Sequence, residues 1–461
     1  MKKINFRKIG ILLTLAFFLN SCEKWIDPEI NVDPNVPADV NLNLLLPSSQ
    51  AGIAYAFGGD HSRTSAMWMQ HLSGVDRQSF ALERYSVLES DNNNLWNTLY
   101  GGALKNLVIM IDKGDEQGAI HYTAVAKILT AFTLGIITDV WNDAPYSDAL
   151  RGEDGNLTAQ FDTQEQLYNT MNSYLNDAIA LLGQESPTGV PVPGNDDLMY
   201  QGNTAKWMKL AKALKVRYAL HLSNRTNDYS TVRALINEGG LMTEVADNFT
   251  FNFSTAANEW NPRYQFDSDR GDIRVGKRIV DLMNATNDPR RPVYFDTKGA
   301  EEYIGSGPGE ALVTAAWAGP GYASQGSPVF FFPYFEQLFI EAEAFFGNDN
   351  GRAAAAYNAG VMASLATHGI SDPDWEAANA AETAGTITME KIMIGKYIAM
   401  FLHSETWTDW RRTNMPSLTA PAAAQTATPR RYLYTTDEIN YNGANVPTGQ
   451  TSTSRVWWDV P

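Results

Sequence analysis

Cysteine is almost absent from this sequence: one residue in 461. No intramolecular disulfide can close, and no cysteine-based zinc site can form. Cations are scarce too, with 35 Lys and Arg against 52 Asp and Glu and a formal charge of −17. So acidic a chain repels phosphate backbones, and no basic stripe offsets it, which argues against nucleic acid as a partner. The six histidines, at 61, 71, 121, 221, 368 and 403, form no His-Glu-x-x-His pair. There is no Gly-x-Ser-x-Gly elbow, phosphate loop or dinucleotide fingerprint. Long apolar runs are missing as well. Residues 9–19 are almost wholly apolar, but a helix that crosses a membrane needs about 20 such residues, and no later run is expected to reach that length.

What is present starts with that run. Lys2, Lys3, Arg7 and Lys8 precede it without an acid, and Leu19-Asn20-Ser21-Cys22 follows it. A basic start, an apolar middle and a small residue before the cut are the layout of a secretory signal. The last four residues resemble a bacterial lipobox, although Asn20 departs from the usual small residue. A lipoprotein signal peptide is therefore expected over 1–21, with lipid on Cys22. The alternative is an ordinary secretory signal cut nearby, leaving a buried thiol. Cleavage before Cys22 removes four cations and no acid, taking the charge from −17 to −21. Residues 22–47 carry Asp27-Pro28, Asp33-Pro34 and Val36-Pro37. Proline lacks the N–H and restrains its predecessor, so this span reads as a lipidated tether ending in a docking arm.

Residues 48–461 read as a single domain, and an apolar fraction of 44% is ample for a core. Helical spacing recurs in Leu95, Leu99, Ala103 and Leu107, in Tyr122, Val125, Leu129, Phe132 and Ile136, in Leu167, Met171, Leu175 and Ile179, and in Trp207, Leu210, Leu214 and Tyr218. It resumes over 330–346, 352–367 and 388–403. Between these blocks, residues 244–327 break into short pieces among Asn, Asp, Gly and Pro, and only 275–283 looks helical. Residues 416–461 are turn-rich. The expected fold is predominantly all-α: a helical-hairpin, tetratricopeptide-like scaffold over about 48–243 and 328–415, with a loop-rich insert and a turn-rich C-terminal segment. No clean 34-residue repeat is visible.

Four blocks exceed general helix grammar: GIITDVWNDAPYSDAL (135–150), DLMYQGNTAKWMKLAKALKVRYALHL (197–222), SPVFFFPYFEQLFIEAEAFFGNDNGRAAAAYNAG (327–360) and IMIGKYIAMFLHSETWTDWRRTNMPSL (392–418) followed by PRRYLYTTDEINYN (429–442). In this order, from the lipobox to about residue 445, they resemble the SusD/RagB family of nutrient-binding outer-membrane lipoproteins of Bacteroidota. Most of the matching residues read as structural. Glu341 and Glu343 lie two apart on a helix and diverge, as do Arg411 and Arg412, one of which is expected to pair with a buried carboxylate such as Glu405 or Asp409. Asp143-Ala144-Pro145-Tyr146 reads as a turn. Asp196-Asp197 and Asp267-x-Asp269 read as turns or solvated loops. Calcium at such clusters has no support from their spacing, and no cofactor or metal ligand is expected.

Trp96, Trp141, Trp207 and Trp407 lie in or beside apolar stripes and are expected in the core. Trp260, Tyr264, Trp317 and Tyr322 instead fall in the insert, near Asn258, Asn261, Arg263, Asp267 and a run of glycines. Flat rings beside amide and charged groups suit the stacking of sugar faces or the gripping of an extended peptide. Burial of about 100 Å² of ring contributes on the order of 2.5 kcal/mol before ordering costs. The expected ligand residues are thus Trp260, Tyr264, Trp317, Tyr322, Asn258 and Arg263, with Trp68 either on the same face or in the core.

The resemblance implies a non-catalytic, surface-exposed lipoprotein that captures oligosaccharide or peptide for import through a SusC-like TonB-dependent transporter. Two alternatives remain at this level. One is a surface glycoside hydrolase, which would need two carboxyls about 5 to 9.5 Å apart in a cleft. The other is a protein-binding scaffold without a small ligand.

Overall fold

The computed structural model describes residues 40–461. The expected signal peptide, Cys22 and most of the expected arm lie outside the described residues. Helix α1 spans Leu42–Ala56 and so begins inside the span read as tether. Pro47 sits within it and forgoes one intrahelical hydrogen bond. Burial of Leu42, Leu45 and Leu46, at helical spacing, outweighs that loss.

A π-helical turn at Phe57–His61 leads into α2, Ser62–Trp68, and then strand β1, Leu72–Gly74. Helices α3 (Lys105–Gln117) and α4 (Ile120–Trp141) form a hairpin. Its turn depends on Gly118, whose φ of +67° is open to glycine and strained for other residues. The next N–H, of Ala119, reaches back to the Gly114 carbonyl at 2.7 Å and closes the helix end. Helices α5 (Gln164–Leu182) and α6 (Thr204–His221) follow, each packed on its predecessor.

Helix α4 corrects one expectation, since it is long and apolar enough to cross a membrane. It is nonetheless a core helix: from Tyr122 to Trp141 every residue but Lys127 is buried. At Gly135 a Cβ would stand 2.3 Å from the Tyr218 hydroxyl, so glycine is what lets α6 approach.

The second half contributes α7 (Pro262–Arg270), α8 (Lys277–Ala285), α9 (Tyr334–Phe345), α10 (Asn350–Thr367), α11 (Met389–Ala399) and α12 (Glu405–Thr413). Helix α9 packs against both α10 and α11. The other strands are short: β2 (Phe249–Phe251), β3 (Ile273–Val275), β4 (Phe295–Asp296), β5 (Trp317–Ala318) and β6 (Val329–Phe332). They pair antiparallel as β1–β3, β2–β6 and β4–β5. The described chain is thus predominantly α-helical, built from paired helices.

The insert is more regular than its sequence suggested. The helix expected over 275–283 runs from Lys277 to Ala285, because residues 273–275 are taken by β3. Helix α7 was not expected at all. Its sequence, PRYQFDSDR, has no apolar stripe, but its start is well specified. Asn261 Oδ1 accepts from the N–H groups of Arg263 (2.8 Å) and Tyr264 (3.3 Å), and Pro262 occupies the first turn.

The motif residues do form a buried ion network. Arg412 is gripped by both oxygens of Glu343 and lies 3.0 Å from Asp409, which also accepts from Lys396 at 2.7 Å. Glu341 turns the other way, to Arg352 at 2.6 Å. Arg411 donates to the carbonyls of Asp139 and Arg430. Asp143 takes the N–H of Gln164 at 2.9 Å, as a turn residue should. Asp197 is fully buried rather than solvated, accepting from Gln50 Nε2 and Trp207 Nε1, both at 2.7 Å. Trp96, Trp141, Trp207 and Trp407 are all buried. The turn-rich C-terminal segment completes the core: Trp458 is fully buried and its Nε1 donates to Asp139 at 2.8 Å.

Candidate ligand-binding site

The polar sequence of α7 has a consequence for the surface. Pro262, Gln265, Phe266 and Asp269, spaced as one helical face, line an open groove of about 710 Å³. The facing wall is Tyr55, Gly59, Asp60 and Arg63 from the α1–α2 region, with Asn94, Leu95 and Thr98 at the side. The Arg63 guanidinium lies 4.1 Å above the Phe266 ring and is held by Asp60 at 2.6 Å. Asp60 and Asp269 thus give this groove two carboxylates against one guanidinium.

One end of the groove is anchored by a small network. Tyr55 Oη donates to the Trp260 carbonyl at 3.2 Å, and Gln265 Nε2 donates to the same oxygen at 2.6 Å. The Trp260 and Tyr264 rings meet edge to face, 5.7 Å between centroids. Asn258 is exposed in the turn just before them, at φ +70°. Trp260, Tyr264 and Asn258 are therefore brought together, both rings being half-buried.

The remaining expected residues lie elsewhere. Trp68 is fully buried, 4.9 Å from Trp407 and 5.3 Å from Tyr432, and is a core residue. Its place in the α2 apolar face outweighs the neighbouring Asp76 and Arg77. Trp317 is not an isolated loop ring. It belongs to β5 opposite Asp296, and the Arg274 guanidinium covers it at 3.9 Å. Arg274 is fixed in turn by the carbonyls of Val313 and Gly271, so this ring pins the insert to its own domain. Tyr322 is half-buried, with its hydroxyl 3.2 Å from His368 Nε2. Arg263 is buried behind α7, and Asp267, also on α7, is largely buried rather than in a solvated loop. Burial raises the Asp267 carboxyl to about 6 against the pull of Arg263.

Sequence reasoning missed Tyr55, Asp60, Arg63, Gln265 and Phe266. The signal for the α7 residues was present: an Asn-Pro start followed by one face at the i, i+3, i+4 spacing. Nothing local marks Tyr55 or Arg63, whose role comes from the packing of α7 against the α1–α2 turn.

Among the described residues one group, Asp139, His221 and Glu405, brings metal-type ligand atoms within 4.8 Å. Here His221 Nδ1 faces Asp139 at 3.2 Å and Nε2 faces Glu405 at 3.0 Å. The two nitrogens point to opposite sides of the ring, so no single point adjoins both carboxylates through the imidazole. The arrangement is that of an imidazolium held between two anions.

A helical body that presents an open groove of rings, amides and charges offers a surface for binding. The sequence profile of a SusD-like family, described as starch-binding and associating with the outer membrane, matches residues 34–435. The chain belongs to the SusD/RagB family of nutrient-binding outer-membrane proteins of Bacteroidota. Members of this family bind without catalysing, so the hydrolase alternative falls. No match is found among curated proteins. Among solved structures, a SusD/RagB family protein from Bacteroides thetaiotaomicron is 24% identical, with a TM-score of 0.75 over 91% of this chain and 99% of that one. A chitin-binding protein is 25% identical, with a TM-score of 0.75 over 91% and 100%. A chitin-binding SusD homolog from Flavobacterium johnsoniae is 22% identical, with a TM-score of 0.73 over 91% and 97%.

Proposed function

We propose that this protein captures neutral oligosaccharides at the cell surface in the groove along α7, for import through a SusC-like TonB-dependent transporter. The observation that carries the reading is the groove itself, where the Tyr55 ring stands beside the polar groups of Gln265, Asn94, Asp60 and Arg63. Its balance of carboxylates and guanidinium, on a chain of charge −17, favours neutral sugars over polyanionic ones. The Trp260 carbonyl is bound by the groove residues Tyr55 and Gln265, which brings the Trp260 ring, against Tyr264, next to the groove. Acylated Cys22 would hold the body at the membrane.

The chitin-binding relative makes N-acetylglucosamine oligomers the first ligand to test, with starch oligomers and an unstructured peptide alongside. Calorimetric titration should show saturable binding of at least one sugar series. Tyr55→Ala and Trp260→Ala should each weaken it by about tenfold, the loss of roughly 1 to 2 kcal/mol of ring contact. Binding of peptide alone would overturn the sugar reading. Unchanged sugar affinity in both variants would remove the groove.

A further inference from the structure

Behind α7 lies a second, smaller space. Its walls are mostly apolar, including Phe57, Val329, Phe330, Met400 and Phe401, and Arg263 reaches it from α7. Arg263 is 3% exposed, yet its Nε, Nη1 and Nη2 have no hydrogen-bond partner. The nearest carboxylate, Asp267 one turn along α7, has Oδ1 3.8 Å from Nη1, too far to bond, and that oxygen is unpartnered as well.

Three other buried guanidiniums are each gripped by a carboxylate, and the buried Arg411 and Arg431 donate to backbone carbonyls. Arg217 makes two bonds to Glu336, Arg290 two to Asp288, and Arg412 two to Glu343. A guanidinium carries five donors in a planar fork, and burying it without partners costs several kcal/mol. An unsatisfied fork on the wall of an apolar cavity is the chemistry of a site for a small amphiphilic anion.

We propose that Arg263 binds a small monocarboxylate of formate or acetate size in this cavity. The two carboxylate oxygens take the guanidinium fork, and any methyl group rests against Phe330 and Met400. A single charge follows from Asp267, which at 3.8 Å already offsets part of the guanidinium's charge and repels a second anion. Small size follows from the room beside the fork, roughly that of three waters. Because α7 carries the groove on its front and Arg263 on its back, an occupied cavity fixes the groove wall to the core. The site stands whether or not the groove takes sugar.

The test uses the purified full-length protein in a buffer whose only other anion is sulfate. Thermal unfolding is followed against sodium formate and sodium acetate, with sodium sulfate at matched ionic strength as the control. A melting temperature that rises and saturates with formate or acetate, but not with sulfate, is the expected result. Arg263→Met should abolish the saturable rise. Asp267→Asn should shift half-saturation to a severalfold lower concentration. A response that does not saturate, or one that persists in folded Arg263→Met, overturns the proposal. Should Arg263→Met fail to fold, crystals of the unmodified protein soaked in bromide decide: an anomalous peak on the guanidinium supports the site, and water alone there overturns it.

Discussion

His221 stands between Asp139 and Glu405 with nearly all of its surface buried. Burial alone would lower its pKa, but Glu405 and then Asp139 raise it to about 9. A group whose pKa is higher when folded gives its full stabilisation below the unfolded value of 6.5 and loses it as pH climbs to about 9. That loss is on the order of 3 kcal/mol. Four other imidazoles work in the opposite sense. Burial lowers His61 and His368 to about 4 and His71 and His403 to about 3, so stability is lost as pH falls below 6.5. Melting temperature measured from pH 4 to 9.5 should therefore peak near 6.5, and His221→Gln should flatten the alkaline limb. An alkaline limb unchanged in that variant would assign the loss to other groups. This network was only partly legible in the sequence. The pairing of one motif arginine with Asp409 follows from their spacing on a helix, and Arg412 makes that pair. Nothing local announces that His221 meets Glu405, 184 residues away.

At the scale of elements, the paired helices were readable because each carries an apolar stripe that needs a neighbour, as α4 shows in the extreme. Helix α7 was not, because only its back is covered and its front faces a groove. Its stability rests more on its first turn than on burial, which makes Asn261 a position of leverage. Asn261 caps two N–H groups and donates Nδ2 to the Ser327 carbonyl at 2.9 Å. Asn261→Ala should cost about 1 to 2 kcal/mol in denaturant unfolding. If α7 is the groove wall, the same variant should weaken ligand binding without touching a groove-lining side chain. The tryptophans divide along the same physical line. Those on stripes were placed correctly in the core, whereas Trp317 was misread because the cover it has, Arg274, arrives from a different strand.

For the molecule as a whole, the acidic body and the proposed anchor make separable demands. Cys22→Ser should move the protein from the membrane fraction to the soluble fraction and abolish palmitate labelling, while sugar affinity in solution stays unchanged. Label persisting on the variant would place the lipid elsewhere. The predominantly helical fold was legible from periodicity, but the role of the C-terminal segment was not, since a turn-rich composition gives no sign that Trp458 is a core residue. That residue carries a further consequence. Asp139 waits for an indole that lies 319 residues further along the chain. A contact so distant in sequence forms late, after a large loop has closed. Until residue 458 is in place, Asp139 lacks that donor and the central polar cluster is incomplete. The order of the residues thus leaves the closing of the molecule's centre to the far end of the chain.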